Sequence, residues 1–129
     1  MTKFEATIKQ FENALTRFRE VMIVPKNDIT RDSAIQRFEF TIDLSWKMVK
    51  AFLEEKKGII CVSPKECFRE AYKQGLIEYS DEWIKFVDMR NETVHTYKEE
   101  VAEKIYNYFP IALKHFEVLS AVVKEKIEE

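Results

Sequence analysis

Ile35-Gln36-Arg37-Phe38-Glu39-Phe40-Thr41-Ile42-Asp43-Leu44-Ser45-Trp46-Lys47-Met48-Val49-Lys50-Ala51-Phe52-Leu53 sets Ile35, Phe38, Ile42, Trp46, Val49 and Leu53 at steps of three and four. That period marks one apolar face of a long helix. Ala34, Phe40, Leu44, Met48 and Ala51 widen the stripe. A helix apolar over so much of its circumference belongs at the centre of a bundle, covered on two sides. It opens near Asp28 or Thr30, and Gly58 suits the left-handed turn that follows its end.

On the N-terminal side, Phe4, Ile8, Phe11, Leu15, Phe18 and Met22 repeat the same step and predict a first helix that stops near Val24-Pro25-Lys26-Asn27. On the C-terminal side, Ser63-Pro64-Lys65-Glu66 has capping-box spacing with proline at the first helical position. A short helix follows and ends at Gly75. Ser80-Asp81 opens a fourth helix bearing Trp83, Ile84, Val87 and Val94. Thr96-Tyr97-Lys98-Glu99 has capping-box spacing again, which predicts a chain break just after His95. The last helix carries Ala102, Ile105, Phe109, Ala112, Phe116, Leu119 and Val123. Pro110 should kink it, because proline cannot donate to the carbonyl of Tyr106.

Two glycines and three prolines in 129 residues are few for a sheet protein. The fold class is therefore all-α: an up-and-down bundle of four main helices plus one short helix, in one domain spanning 1–129. Apolar residues at 46% and charged residues at 34% place the chain among globular proteins. The net charge of −2 argues against binding nucleic acid by bulk charge alone. Any RNA contact must be local or assembled across chains. Cys61 and Cys67 match no common zinc spacing and read as small, partly buried thiols. No metal or cofactor is expected. With no run of ~20 apolar residues and no cleavage-site pattern, the expected location is the cytoplasm, with no membrane association.

The two histidines narrow the search for chemistry. His115 sits between the stripe positions Ala112 and Phe116 and reads as a helix-flank residue. His95 lies in Arg90-Asn91-Glu92-Thr93-Val94-His95-Thr96-Tyr97, which brings a fixed cation, a proton carrier and a phenol into eight residues. On a regular helix Arg90 and His95 would stand about 140° apart, whereas Asn91 and His95 would share a face. Convergence of Arg90 and His95 therefore needs the helix to unwind at His95, or a second copy of the chain. An imidazole exchanges protons near neutral pH, and a guanidinium grips phosphate oxygens with a planar fork. That pair suits cleavage of RNA without a metal.

The same segment resembles the Arg-x-x-x-x-His-x-Tyr signature of HepT-like HEPN proteins. The run Arg37 to Lys47 resembles the second-helix signature of the nucleotidyltransferase substrate-binding proteins. Ser63-Pro64-Lys65-Glu66, Arg69-Glu70-Ala71 and Gly75-Leu76-Ile77 agree as well. The likeness covers about Phe4 to Tyr108, with Asp43 departing from an expected glutamate. It implies a helical homodimer paired with a small nucleotidyltransferase. It further implies RNA cleavage in a two-chain cleft by Arg90 and His95, with Asn91 orienting the cleft. The implied modification site is Tyr97, which the partner silences by attaching AMP. Glu39 and Asp43 are candidate acidic partners of Arg90. Two functions stay open: a ribonuclease toxin, and a non-catalytic subunit that holds a nucleotide or other substrate for the partner enzyme. A bare helical scaffold is the third.

Overall fold

The computed structural model describes residues 1–129. The chain forms α1 (Lys3–Met22), α2 (Asp28–Lys57), α3 (Pro64–Lys73), α4 (Ser80–Glu92), α5 (Glu99–Asn107) and α6 (Phe109–Lys126), with a 3-10 turn at Thr93–His95 between α4 and α5. There is no strand, and no helix is long and apolar enough to cross a membrane.

The central position expected for α2 is the one it takes, against α1, α3, α4 and α5. Its start is fixed by a capping box in which Asn27 accepts from the Thr30 amide while Thr30 accepts from the Asn27 amide. At its end Gly58 adopts φ +65°, a conformation that costs other residues a clash of Cβ with the backbone. There its amide returns to the carbonyl of Leu53.

Aromatic rings from five helices fill the core. Phe38 of α2 stacks on Phe109 of α6 at 4.9 Å between centroids, and Phe18 of α1 meets both Phe109 and Phe116 edge-on. Trp83 of α4 stacks on Phe68 of α3 at 4.8 Å. These offset and edge-on arrangements match the quadrupole preference of aromatic pairs.

Three local expectations need correction. Pro110 does more than kink the last helix: α5 ends at Asn107 and α6 restarts at Phe109, with Tyr108 as the joint. Ser63 caps by position only, making no side-chain bond, and the Glu66 carboxylate accepts from the Val62 amide rather than from that of Ser63. Thr96 does not cap α5 either. Its hydroxyl turns back to the carbonyl of Thr93 at 2.8 Å, and Lys98 is the residue before the helix.

The cysteines also depart from expectation. Cys61 and Cys67 are joined by a disulfide, with their Cα atoms 5.3 Å apart and both residues buried. The segment after Gly58 folds back on α3, which brings the two Cβ atoms into bonding reach. The closed loop is short, so the entropic stabilisation is modest, about 2 kcal/mol. Replacing both cysteines by serine should lower the unfolding free energy by about that amount in a denaturant titration. Unchanged stability would show that the cross-link contributes nothing.

Two ion-pair sets brace the far helices. Arg31, buried at the start of α2, donates to Glu99 at 2.6 Å and Glu103 at 3.0 Å on α5. Arg19 forms a fork on Glu117, joining α1 to α6. The first of these matters for function, since it anchors the helix that leaves the His95–Tyr97 segment.

Candidate functional site

Helix α4 delivers Arg90 to the surface of α2. Arg90 Nε donates to Asp43 Oδ1 and Nη2 to Asp43 Oδ2, each at 3.1 Å, a two-pronged carboxylate contact. Nη1 reaches Glu39 Oε2 at 3.0 Å and Thr93 Oγ1 at 3.1 Å. Glu39 and Asp43 are four residues apart on α2, so they share a face and enclose the guanidinium between them. Hydrogen bonding to Asp43 raises the Arg90 pKa above its ordinary value; partial burial opposes this, and the charges of Asp43 and Glu39 add to it. Arg90 is a fixed cation at any working pH.

The break after α4 has a local cause. The Thr93 hydroxyl donates to the Arg90 carbonyl at 2.7 Å, competing with the helix for that acceptor. The chain tightens into the 3-10 turn Thr93–His95, and the Lys98 amide bonds to the His95 carbonyl at 3.0 Å. This unwinding exposes His95 and Tyr97 side by side, with rings 6.3 Å apart at 69°. Tyr97 is open to solvent (78% exposed), and the Lys98 ammonium lies 5.9 Å from its ring.

Within one chain the structure joins some of the expected residues and not others. Arg90, Asp43 and Glu39 form one cluster, and Asn91 borders it, exposed. His95 and Tyr97 form a second pair. His95 is not among the partners of the Arg90 guanidinium, which are Asp43, Glu39 and Thr93. His115 packs edge-on against Trp83 and Phe86, away from both groups. Thr93 was absent from the expected set, although its place three residues after Arg90 is where a hydroxyl can reach back to that carbonyl.

The family model for nucleotidyltransferase substrate binding protein like sequences matches residues 1–126. The chain belongs to this family. A Haemophilus influenzae protein called probable ribonuclease HepT is 42% identical over 77 residues, covering 57% of this chain and 53% of the relative. The matched part thus spans about half the length of that curated relative. A crystal structure of a Thermus thermophilus protein superposes with a TM-score of 0.84 at 35% identity, covering 88% of this chain and 98% of the other. A second structure, from Haemophilus influenzae, is described as revealing the fold of a substrate binding domain of a nucleotidyltransferase. It gives a TM-score of 0.70 at 29% identity over 94% and 96% of the two chains. Membership of the nucleotidyltransferase substrate-binding family is thus shown by sequence and by fold.

Proposed function

We propose that this family member is a metal-independent endoribonuclease, the toxin of a toxin–antitoxin pair, and that it works as a homodimer. The observation that carries the reading is the juxtaposition at the end of α4. An arginine clamped by two carboxylates is followed, across a helix break, by an exposed histidine and tyrosine. The likeness to a protein called probable ribonuclease HepT supports it.

In this reading Arg90 binds the scissile phosphate and offsets the charge that grows on it. One His95 takes the proton from the ribose 2′-hydroxyl as O2′ attacks phosphorus. The bond from phosphorus to O5′ breaks, and the second chain's His95 protonates the departing oxygen. Asn91 orients the cleft, while Asp43 and Glu39 aim Arg90. The homodimer has a chemical rationale too: separate acid and base roles need two imidazoles at one cleft, and each chain brings one in this segment, His95.

Tyr97 is the proposed control point. A cognate small nucleotidyltransferase would join the phenol oxygen to the α-phosphorus of ATP, with pyrophosphate leaving. The AMP would bring a negative phosphate beside His95 and compete with RNA for Arg90. The alternative, a non-catalytic subunit that holds nucleotide for the partner enzyme, is favoured by the family description and uses the same cleft.

The test is expression alone, followed by growth and RNA integrity. Growth arrest with RNA fragmentation is expected; normal growth with intact RNA and tight nucleotide binding would select the alternative. Co-expression with a cognate nucleotidyltransferase should place one AMP on the Tyr97 peptide by mass spectrometry and none in Tyr97→Phe. AMP on another residue would end that role for Tyr97.

A further inference from the structure

Beside the Arg90 cluster, the face of α2, the start of α3 and the end of α4 enclose a cleft of about 260 Å³. Its walls include Trp46, Pro64, Val87 and Asn91, with Asp43 and Arg90 along one edge. Drug-sized sites occupy ~300–1,000 Å³, so this one suits a single flat heterocycle. We propose that it is a nucleobase subsite that takes one unpaired base, with adenine preferred, next to the phosphate held by Arg90. The inference rests on the proposed RNA- or nucleotide-binding role of the same cleft and says which residues read the base.

Three features of the cleft fit a base. Trp46 is only partly buried although it packs against the core, so an aromatic surface faces solvent where an apolar residue would ordinarily be covered. Unstacked bases bind by stacking on such surfaces. Pro64 and Val87 supply rigid apolar walls. The proline is held within the loop that the Cys61–Cys67 disulfide closes, so the wall does not depend on a flexible side chain. Asn91 is exposed at the rim and carries one acceptor and two donors on a planar carboxamide. That pattern complements adenine, whose N6 amine donates while N7 accepts. A pyrimidine can meet it through its Watson–Crick edge, so the preference for adenine rests on the larger purine face stacked on Trp46.

Two cations stand at the cleft, balanced by the carboxylates of Asp43 and Glu39. Arg90 lines the same cleft, and the Lys50 ammonium lies 6.0 Å from the centre of the Trp46 ring. A base on the indole would therefore have cations within reach of its phosphate. Trp46 and Asn91 are binding and positioning residues here; they need not touch the reacting atoms.

The test uses AMP, UMP and ribose 5-phosphate against the full chain, together with cleavage of adenine-containing and all-uridine oligoribonucleotides. Trp46 is the solvent-accessible tryptophan, Trp83 being buried. AMP should quench tryptophan emission and bind about five-fold or more tighter than UMP, with ribose 5-phosphate giving no quench. Trp46→Ala should weaken AMP binding about 5- to 150-fold by calorimetry. Trp46→Phe should remove the quench yet keep affinity within a few-fold, which guards against a merely misfolded alanine variant. In cleavage, Trp46→Ala and Asn91→Ala should raise KM more than they lower kcat, and Trp46→Ala should erase the preference for adenine. Equal binding of ribose 5-phosphate and AMP would overturn the subsite, as would unchanged affinity in Trp46→Ala. AMP binding at this cleft in a protein that cuts no RNA would remove the ribonuclease reading and leave the subsite standing. Cleavage that ignores both substitutions would do the reverse.

Discussion

Replacing His95 by alanine is expected to slow RNA cleavage by about 10²–10⁴-fold, the usual contribution of a positioned acid or base, without moving the thermal midpoint. The side chain is exposed and lies against Tyr97 alone among ring neighbours. The bond that shapes this turn, from the Lys98 amide to the His95 carbonyl, is made by the backbone and survives the change. Exposed substitutions of this kind stay within about 0.5 kcal/mol. Arg90 is a less selective probe. Its removal would leave Asp43 and Glu39 facing one another with no cation between them, so stability and activity would fall together. Arg90→Lys keeps the charge but loses the planar fork, and should weaken both phosphate binding and the contact to Asp43. A single-turnover cleavage assay beside a thermal melt decides the matter. His95→Ala cleaving RNA at the wild-type rate would remove histidine from the mechanism.

How far this site could be read in advance depends on the range of the interactions concerned. The stripes of α1 and α2 were legible because a helix repeats its burial every three to four residues, and Phe4, Phe11, Phe18, Phe38 and Leu53 are all fully buried. The break near His95 was legible too, although for a different reason from the one expected. Capping-box spacing points to Thr96, whereas Thr93 disturbs the end of α4 by bonding the Arg90 carbonyl. Hydroxyl positions in such segments offer several nearby backbone partners, and spacing alone does not choose among them.

Pairings distant along the chain were the least legible. Cys61 and Cys67 are close in sequence, yet their bond depends on how the segment between α2 and α3 turns back, which no periodicity encodes. Trp46 fits the apolar stripe of α2 and reads as core. Its partial exposure follows from where α3 begins and α4 ends. Glu39 and Asp43 could be named in advance as candidate partners of Arg90, but not chosen between; the fork on Asp43 joins residues 47 apart, and the crossing of α2 and α4 sets its geometry.

Phe116→Ala is expected to cost about 3–5 kcal/mol, the range for emptying a buried phenylalanine site. The ring is fully buried on α6 and lies 5.5 to 6.2 Å, centroid to centroid, from Phe11, Phe18, Phe38, Trp83 and Phe86. Those neighbours come from α1, α2 and α4, so one truncation removes contacts that tie α6 to three other helices. Against a typical total of 5–15 kcal/mol, such a loss moves the denaturant midpoint far. Val118→Ala, half-exposed on the same helix, should change it by no more than about 0.5 kcal/mol. A cost below about 1 kcal/mol for Phe116→Ala would mean that the core closes over the vacancy and that the aromatic cluster is not what holds α6. Trp83 and Phe86 lie on α4, the helix that carries Arg90, so the core and the candidate site share one element. Below its lowered melting transition the Phe116→Ala protein should still cleave RNA, losing activity only in step with its unfolded fraction. His95→Ala should show the opposite behaviour, folded and inactive at the same temperature. That contrast separates residues that build the platform from those that act on it.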